Sequence, residues 1–437
     1  MISTRQFIPA LAIDRNSMSI SPLSDAHRQR AELYARYWSY YRGHHRKNIK
    51  VKPGQADDNV TINWSKKIVN QGVGFLFGKP VTFEIDENDE RTKEEAHLDR
   101  VWADDPRTGF VQAVFLKQLA QNGAVTGMPV IRIVPPVGEG ELPTLRAVDP
   151  SIVDVITDPD DVDIVTEYHV VWQSGDTWKR QRMVRDGEIW IIYDDVYRVG
   201  RKWETVEEAA WEFDFAPIMH AQNLILANSQ FGISDLEDAD LNDAVNFAAS
   251  NINRILRFHA HPKTIGTGFP AAQLQTTAVD QFWTVPSADA RVFNLEMQSD
   301  LASSRAYKAD LEEGMHQVSD TPRFDPVTVN LGALSGVALR ILYGPLLSKT
   351  EDKRGTYGGL LARVNRALLI MAGMEDKPVR TIWQSPLPEN GIERVELFER
   401  IAAATGGNLE AAARIAGYNR DQIDMLSQTD YFLEARQ

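Results

Sequence analysis

Cysteine is absent from the 437 residues. That excludes disulfides, thiolate catalysis and cysteine-ligated zinc or iron–sulfur centres, and it is compatible with synthesis in a cytoplasm. Long apolar runs are missing too, since no stretch approaches the roughly 18 residues that a membrane-spanning helix needs. Met1 to Ile20 lacks the charged start, apolar middle and small-residue cleavage site of a secretory signal. A soluble chain with no membrane partner is expected. Positive charge is scarce: 47 Lys and Arg against 61 Asp and Glu leave a net charge of −14, which repels a polyanion at long range. Basic residues gather only at Arg42 to Lys52 and Lys179 to Arg185, and Gly43-His44-His45-Arg46-Lys47 reads as a solvated turn.

Catalytic constellations are missing as well. There is no nucleophile elbow and no His-Glu-x-x-His, and the nine histidines are scattered. His259 and His261 alternate across Ala260 with no carboxylate close in sequence, so a structural role is expected for them. Gly72-Val73-Gly74-Phe75-Leu76-Phe77-Gly78-Lys79-Pro80 superficially looks like a phosphate loop. A Walker loop needs glycine where Val73 stands and Ser or Thr where Pro80 stands, and a dinucleotide fingerprint opens a helix whereas this stretch closes one. The acidic run Asp158, Asp160, Asp161 and Asp163 lacks the mid-loop glycine and distal glutamate of an EF-hand and reads as a solvated turn. No catalytic residue, metal or cofactor is assigned, and the chain reads as not an enzyme.

What is present is ordinary globular material, 43% hydrophobic and 25% charged, enough for two to four domains. Met1 to Ser24 is irregular and expected to fray. Helices are expected over Asp25 to Tyr41, crowded with Tyr34, Tyr37, Trp38, Tyr40 and Tyr41, and over Asn63 to Phe77. After a charge-rich excursion from Glu84 to Glu95, a periodic helix runs from Phe110 to Thr126. Strands follow at Val130 to Val134 and Leu145 to Val148. A β-meander is predicted from Tyr168 to Trp172, Trp178 to Val184, Ile189 to Tyr193 and Tyr197 to Trp203, with Gly175-Asp176 and Asp186-Gly187 as hairpin signals. A long helical pattern spans Ser335 to Met371, with a kink predicted at Gly344-Pro345 and an apolar stripe through Leu360, Val364, Leu368 and Met371. Two last helices are expected at Glu393 to Ala404 and Leu409 to Ala416. Helices joined to a β-rich half indicate an α+β fold.

The organising stretch runs from Phe231 to Phe324. Ser234 and Glu237 form a capping box, and Leu241, Val245, Ala248, Ile252 and Ile255 alternate steps of four and three on one stripe. Pro262 ends this helix, whose rise from Ser234 to His259 would be roughly 39 Å. A second helix opens near Ser299 and carries Leu301, Tyr307, Leu311, Met315 and Val318 before Pro322. Between them lie Thr264 to Thr267, a polar helical piece around Ala271 to Phe282, and the β-like run Arg291 to Leu295.

The order of several stretches resembles the portal proteins of tailed bacteriophages, the head-to-tail connectors, of the long-tailed phage type. These are Tyr37-Trp38-Ser39-Tyr40-Tyr41-Arg42-Gly43, Asn63 to Pro80, Ala216-Pro217-Ile218-Met219-His220, Phe231-Gly232-Ile233-Ser234-Asp235-Leu236 and Leu334-Ser335-Gly336-Val337-Ala338-Leu339. The resemblance implies a ring, usually of twelve subunits, set at one capsid vertex of the virion and assembled in the host cytoplasm. Double-stranded DNA is packaged through it, retained, and later ejected. Implied partners are the terminase large subunit, the major capsid and scaffolding proteins and a head-tail adaptor. The implied portal fold assigns 1–60 to an N-terminal arm and helix, 61–230 to a β-rich wing, and 231–260 with 299–322 to a two-helix stem. A small α/β clip takes 261–298, a tunnel loop 323–335, a long kinked helix and its return 336–390, and a short helical crown 391–437. DNA would face Val327, Thr328, Val329, Asn330, Leu331, Gly332 and Leu334, a loop without Lys or Arg and so unable to clamp phosphates. Twelve copies at −14 each would carry on the order of −170, a field that keeps DNA off the walls. The alternative is another virion structural protein, such as a minor head or tail-ring component.

Overall fold

The computed structural model describes residues 22–51, 53–54, 57–85, 91–103, 111–136, 138, 140–198, 202–260, 263–267, 289, 291–295, 301–323, 336–387, 391–404, 408–416, 418 and 423. The expected helical piece at 271–282, nearly all of the expected arm at 1–24 and the loop residues 324–335 lie outside them. Two compact units divide the chain, one of residues 1–38, 67–237 and 320–437, the other of 39–66 and 238–319.

Helices α1 (Asp25–Tyr41) and α2 (Trp64–Phe77) come first, then strand β1 (Thr82–Glu84), α3 (Lys93–Trp102) and α4 (Gln112–Thr126). Strands β2 (Val130–Val134), β3 (Thr144–Ala147), β4 (Val153–Thr157), β5 (Val165–Ser174), β6 (Thr177–Asp186), β7 (Ile189–Arg198), β8 (Glu204–Trp211) and β9 (Ile218–His220) follow. Next are α5 (Asp240–Ala260), β10 (Lys263–Thr267), β11 (Arg291–Leu295) and α6 (Leu301–Val318). The chain continues with α7 (Gly336–Leu342), α8 (Gly344–Met371), β12 (Arg380–Ile382), α9 (Gly391–Ala404) and α10 (Leu409–Ile415). Helix and sheet are mixed in the first unit, as the α+β reading expects.

The meander is a five-stranded antiparallel sheet in the order β4-β5-β6-β7-β8. Its two tight turns have Gly175 and Gly187 at φ +61° and +62° as first central residues, with Ser174 facing Thr177 and Asp186 facing Ile189. That is the type II′ pattern, whose twist matches paired strands. The second turn is therefore Gly187-Glu188 and not Asp186-Gly187. The last strand also differs from expectation: β7 runs on through Arg198, and its partner is Glu204–Trp211, not Tyr197 to Trp203. β8 is acidic and exposed over most of its length, so no alternation marks it.

A smaller sheet, β3-β2-β9, packs with α4 and α8 in one apolar cluster that includes Leu119, Ile131, Met183, Tyr357, Leu360, Val364 and Leu368. The expected kink takes the form of a break at Tyr343. Pro345 lies in the first turn of α8, and the bonds Tyr343 N–H to Leu339 O (3.0 Å) and Leu347 N–H to Tyr343 O (2.8 Å) carry the backbone across. α8 then rises roughly 42 Å. In the tail, α9 and α10 share a separate small core of Phe398, Ala402, Leu409, Ala412 and Ala413.

Two helix starts differ from the sequence reading. α3 begins inside the supposed charged excursion, where Thr92 Oγ1 accepts from Glu95 N–H (3.2 Å) and Glu95 Oε2 accepts from Thr92 N–H (3.0 Å). This is the reciprocal capping box. The box expected at Ser234 does not form, and α5 starts at Asp240 after turns over 235–239. Ser234 Oγ lies 2.7 Å from Val125 O and 3.1 Å from Ala124 O, and it accepts from Leu236 N–H at 3.0 Å. The last carbonyls of α4 have no partners within their own helix, and they capture the hydroxyl that would have capped a helix at Ser234.

Candidate functional site

In the second unit, α5 and α6 pack along each other and the antiparallel hairpin β10-β11 lies between them in sequence. Ser65 bonds Asn242 near the start of α5, while the Trp64 ring meets the His316 ring edge-on at 5.1 Å near the end of α6. Start and end thus meet at neighbouring residues, so the two helices run antiparallel. Asp240 and Asp243 occupy the first turn of α5, where carboxylates complement the helix dipole, and both accept the Tyr40 hydroxyl (2.9 and 2.6 Å).

The expected packing residues divide by environment. Val245, Ala248 and Met315 are buried, whereas Leu241, Ile252, Ile255 and Leu311 are half-buried. Tyr307 and Val318 stand 60% and 54% exposed, as do Phe247 and Leu256 at 44% and 41%. The buried face of α6 is turned toward Glu312, Met315, His316 and Ser319, with Lys308 Nζ on Glu312 Oε1 at 2.6 Å. Polar side chains on the covered face hid its direction from an apolar pattern.

A second set of contacts on α5 escaped the sequence reading. Residues 58–63 lie beside the helix and lead into the first turn of α2, held by one row of polar side chains. Asn242 Oδ1 accepts from Ser65 N–H (3.0 Å), Asn246 Oδ1 from Ile62 N–H (2.8 Å) and Ser250 Oγ from Val60 N–H (2.8 Å). Asn253 Nδ2 donates to Asp58 O (3.2 Å), and Arg257 pairs with the Asp58 carboxylate at 2.7 Å. The spacing has a geometric cause. From Asn246 to Ser250 the helix rises about 6 Å, and two residues of extended chain, from Ile62 to Val60, cover about 7 Å. Alternate backbone groups of the strap therefore meet successive helical turns. Asn at four-residue intervals in a helix, where its propensity is poor, was the available signal.

The first unit holds a buried polar knot. Asp235 receives Lys353 Nζ at 2.6 Å, Lys349 Nζ at 3.3 Å and Asn223 Nδ2 at 3.3 Å, and Asn223 Oδ1 accepts the Tyr357 hydroxyl at 3.2 Å. Burial pushes the Asp235 carboxyl up, but the two ammonium groups outweigh it and hold it below the usual carboxylate range. Burial lowers the Lys353 ammonium, and Asp235 offsets only part of that. A Cβ on Gly72 would lie 3.3 Å from Asp235 Oδ2, so the glycine-containing stretch once compared with a phosphate loop approaches this pair. Among the described residues there is no cluster of three or more His, Asp or Glu side chains suited to a metal ion, and no helix long and apolar enough to cross a membrane. The acidic turn closes on itself, with Asp160 N–H on Asp158 Oδ1 (2.8 Å) and Asp163 N–H on Asp161 Oδ1 (2.9 Å).

A family model described as phage portal protein, SPP1 Gp6-like, matches residues 20–409. The chain belongs to the phage portal protein family. That family is one of structural proteins. No curated protein sequence matches this chain. Among solved structures, a chain from the neck of an empty GTA particle computed with C6 symmetry is 16% identical, covers 81% of this portal-family chain and 90% of its own length, and has a TM-score of 0.50. A chain from the neck of a native GTA particle computed with C12 symmetry is 14% identical over 81% and 89%, with a TM-score of 0.47. At such identity the likeness concerns the fold alone. The residues named for DNA contact, Val327, Thr328, Val329, Asn330, Leu331, Gly332 and Leu334, lie outside the described residues.

One further buried group of this portal-family chain titrates within an accessible range. His220 Nδ1 lies 3.0 Å from the Tyr168 hydroxyl and Nε2 lies 2.9 Å from Gln230 Oε1. The amide oxygen only accepts, so Nε2 carries the proton and Nδ1 accepts from Tyr168. Burial, with the Arg363 guanidinium nearby, pushes the imidazolium down to about 4 from 6.5. Between those values the unfolded chain binds the proton and the folded chain does not, so stability is full above pH 6.5 and falls as pH drops toward 4. The loss amounts to about 3 kcal/mol. His220→Gln is expected to flatten this part of the urea-midpoint profile, and an unchanged slope would remove His220 as its source.

Proposed function

We propose that the chain forms a ring-shaped channel at one capsid vertex, through which double-stranded DNA is packaged, retained and ejected. In this reading α5 and α6 are the stem, β10-β11 belongs to the clip, the meander to the wing, and α9-α10 to a short crown. Residues 323–335 supply the DNA-facing loop. The terminase large subunit and a head-tail adaptor dock in turn, with the major capsid and scaffolding proteins around the ring. Family membership supports the reading, as does the likeness of the fold to a chain from a neck particle computed with C6 symmetry.

The observation that carries it is the outer surface of the helix pair. Both helices leave large apolar side chains exposed, Phe247 and Leu256 on α5, Tyr307 and Val318 on α6. In a closed ring the α5 side of one copy meets the α6 side of the next, a heterologous contact that needs no self-complementary patch. Twelve copies of 49.2 kDa give a particle of roughly half a megadalton. Light scattering and negative-stain microscopy are expected to show such rings with an axial opening. Tyr307→Asp with Phe247→Asp is expected to leave monomers of unchanged circular dichroism. A wild-type chain that stays monomeric at high concentration, or a variant that still closes rings, would overturn the assignment.

A further inference from the structure

We infer that the loop from Gln222 to Gly232 is a further contact between neighbouring copies of this chain, seated on the next subunit through Ile225 and Leu226; the inference rests on the ring reading above. The two side chains are 68% and 46% exposed, and Ala227 and Asn228 beside them are exposed as well. A lone exposed aliphatic residue is ordinary. Here two adjacent ones stand at the tip of a loop that is built to hold them out.

Gln222 braces that loop across its width. Its Oε1 accepts from Leu226 N–H (2.6 Å), and its Nε2 donates to Leu226 O (3.2 Å) and to Ser229 O. On the returning limb Ser229 Oγ accepts from Phe231 N–H (3.0 Å) and donates to Phe231 O (2.9 Å). Asn228 takes φ +57°, a left-handed backbone that Asn adopts more readily than most residues. At the base Ile233 N–H bonds Leu224 O (3.0 Å), and a Cβ on Gly232 would stand 2.7 Å from both Gln222 Cβ and Leu224 O. The tip is thus ordered before it meets a partner, which spares the entropy of fixing it on contact.

Charge selects a second copy as that partner. From Ala221 to Ser234 no side chain ionises, in a chain of net charge −14. Duplex DNA would need cations here, and a basic protein would be met by carboxylates such as Glu204, Glu207 and Glu208 on β8. Two copies of an acidic chain repel each other, so the surfaces that meet must be uncharged ones. Area leads to the same partner. A standard interface buries about 800 Å² on each side, from roughly 20–30 residues. The helix pair offers Phe247 and Leu256 to one neighbour and Tyr307 and Val318 to the other, and closure of a ring needs more apolar surface than these supply.

The chain has no cysteine, so an introduced one is its single thiol. Ile225→Cys and Val206→Cys are made separately in the full chain; Val206 is similarly exposed, at 64%, but stands among Glu204, Glu207 and Glu208. In purified rings Ile225→Cys is expected to react with a fluorescent maleimide about tenfold more slowly than Val206→Cys, because the contact must open to admit the probe. In the monomeric Phe247→Asp with Tyr307→Asp background the two are expected to react equally fast. Ile225→Lys with Leu226→Lys is expected to raise the concentration of half-assembly about tenfold or more, the worth of one buried aliphatic side chain. Equal rates of the two thiols in intact rings would leave the tip to a different partner and overturn the proposal while the ring reading stands. Slow labelling of Ile225→Cys already in monomers would mean that the chain covers its own tip, and would overturn it too. A wild-type chain that forms no rings would overturn both.

Discussion

Asp235→Ala is expected to destabilise the chain by about 3–5 kcal/mol, because it strands the Lys353 ammonium in the buried interior. Lys353 is 3% exposed and the Asp235 side chain 1%, so neither water nor a rotamer change can replace the lost partner. Asn223 would lose a partner as well, and through it the Tyr357 hydroxyl would be loosened. Burying an ion pair costs much of what its attraction returns, so the pair as a whole contributes far less than its breakage suggests. Asp235→Asn with Lys353→Met should therefore recover most of the loss. Urea midpoints of the single and double variants measure this as a coupling energy. A single variant within about 0.5 kcal/mol of wild type would mean that Lys353 reaches solvent after all.

The knot also shows why part of the architecture was legible and part was not. Helices and strands whose covered face is apolar, such as α4 and β2, could be placed from periodicity because burial and sequence pattern coincide there. On α8 the covered stripe continues N-terminally from Leu360 through Tyr357, Lys353, Thr350 and Leu346. A lysine and a threonine break the apolar pattern, although the helical spacing is unbroken. Their partners sit far away in sequence, Asp235 for Lys353, so no local window reveals that the positions are covered. The same applies to Asn242, Asn246 and Ser250 on α5, each matched to the segment at 58–65. The two capping boxes separate on this ground. Thr92 has Glu95 as its nearest partner and caps its helix, whereas Ser234 has the end of α4 beside it and does not. Motif spacing states what a side chain can do, and tertiary neighbours decide which option is taken.

The close approach at the end of α4 carries the second large effect. Gly127 closes that helix at φ +87°, its N–H on Gly123 O at 2.6 Å. A Cβ there would stand 2.3 Å from Gly232 O and 2.9 Å from Gly232 C, and a Cβ on Gly232 would stand 2.7 Å from Gly127 O. The obstacle on each side is backbone. Neither backbone has room to yield, since Gly127 O accepts Asn223 N–H (2.8 Å) and Leu224 O accepts Ile233 N–H (3.0 Å). Gly127→Ala is therefore expected to cost about 2–5 kcal/mol, the left-handed backbone contributing part and the steric clash the rest. Gly187→Ala separates the two contributions, because Gly187 has φ +62° with no atom within 4 Å of the added carbon. It should cost only about 1–2 kcal/mol. Equal urea midpoints for the two variants would show that the 231–235 segment moves aside freely, and that the contact between the two glycines does not hold it against the end of α4.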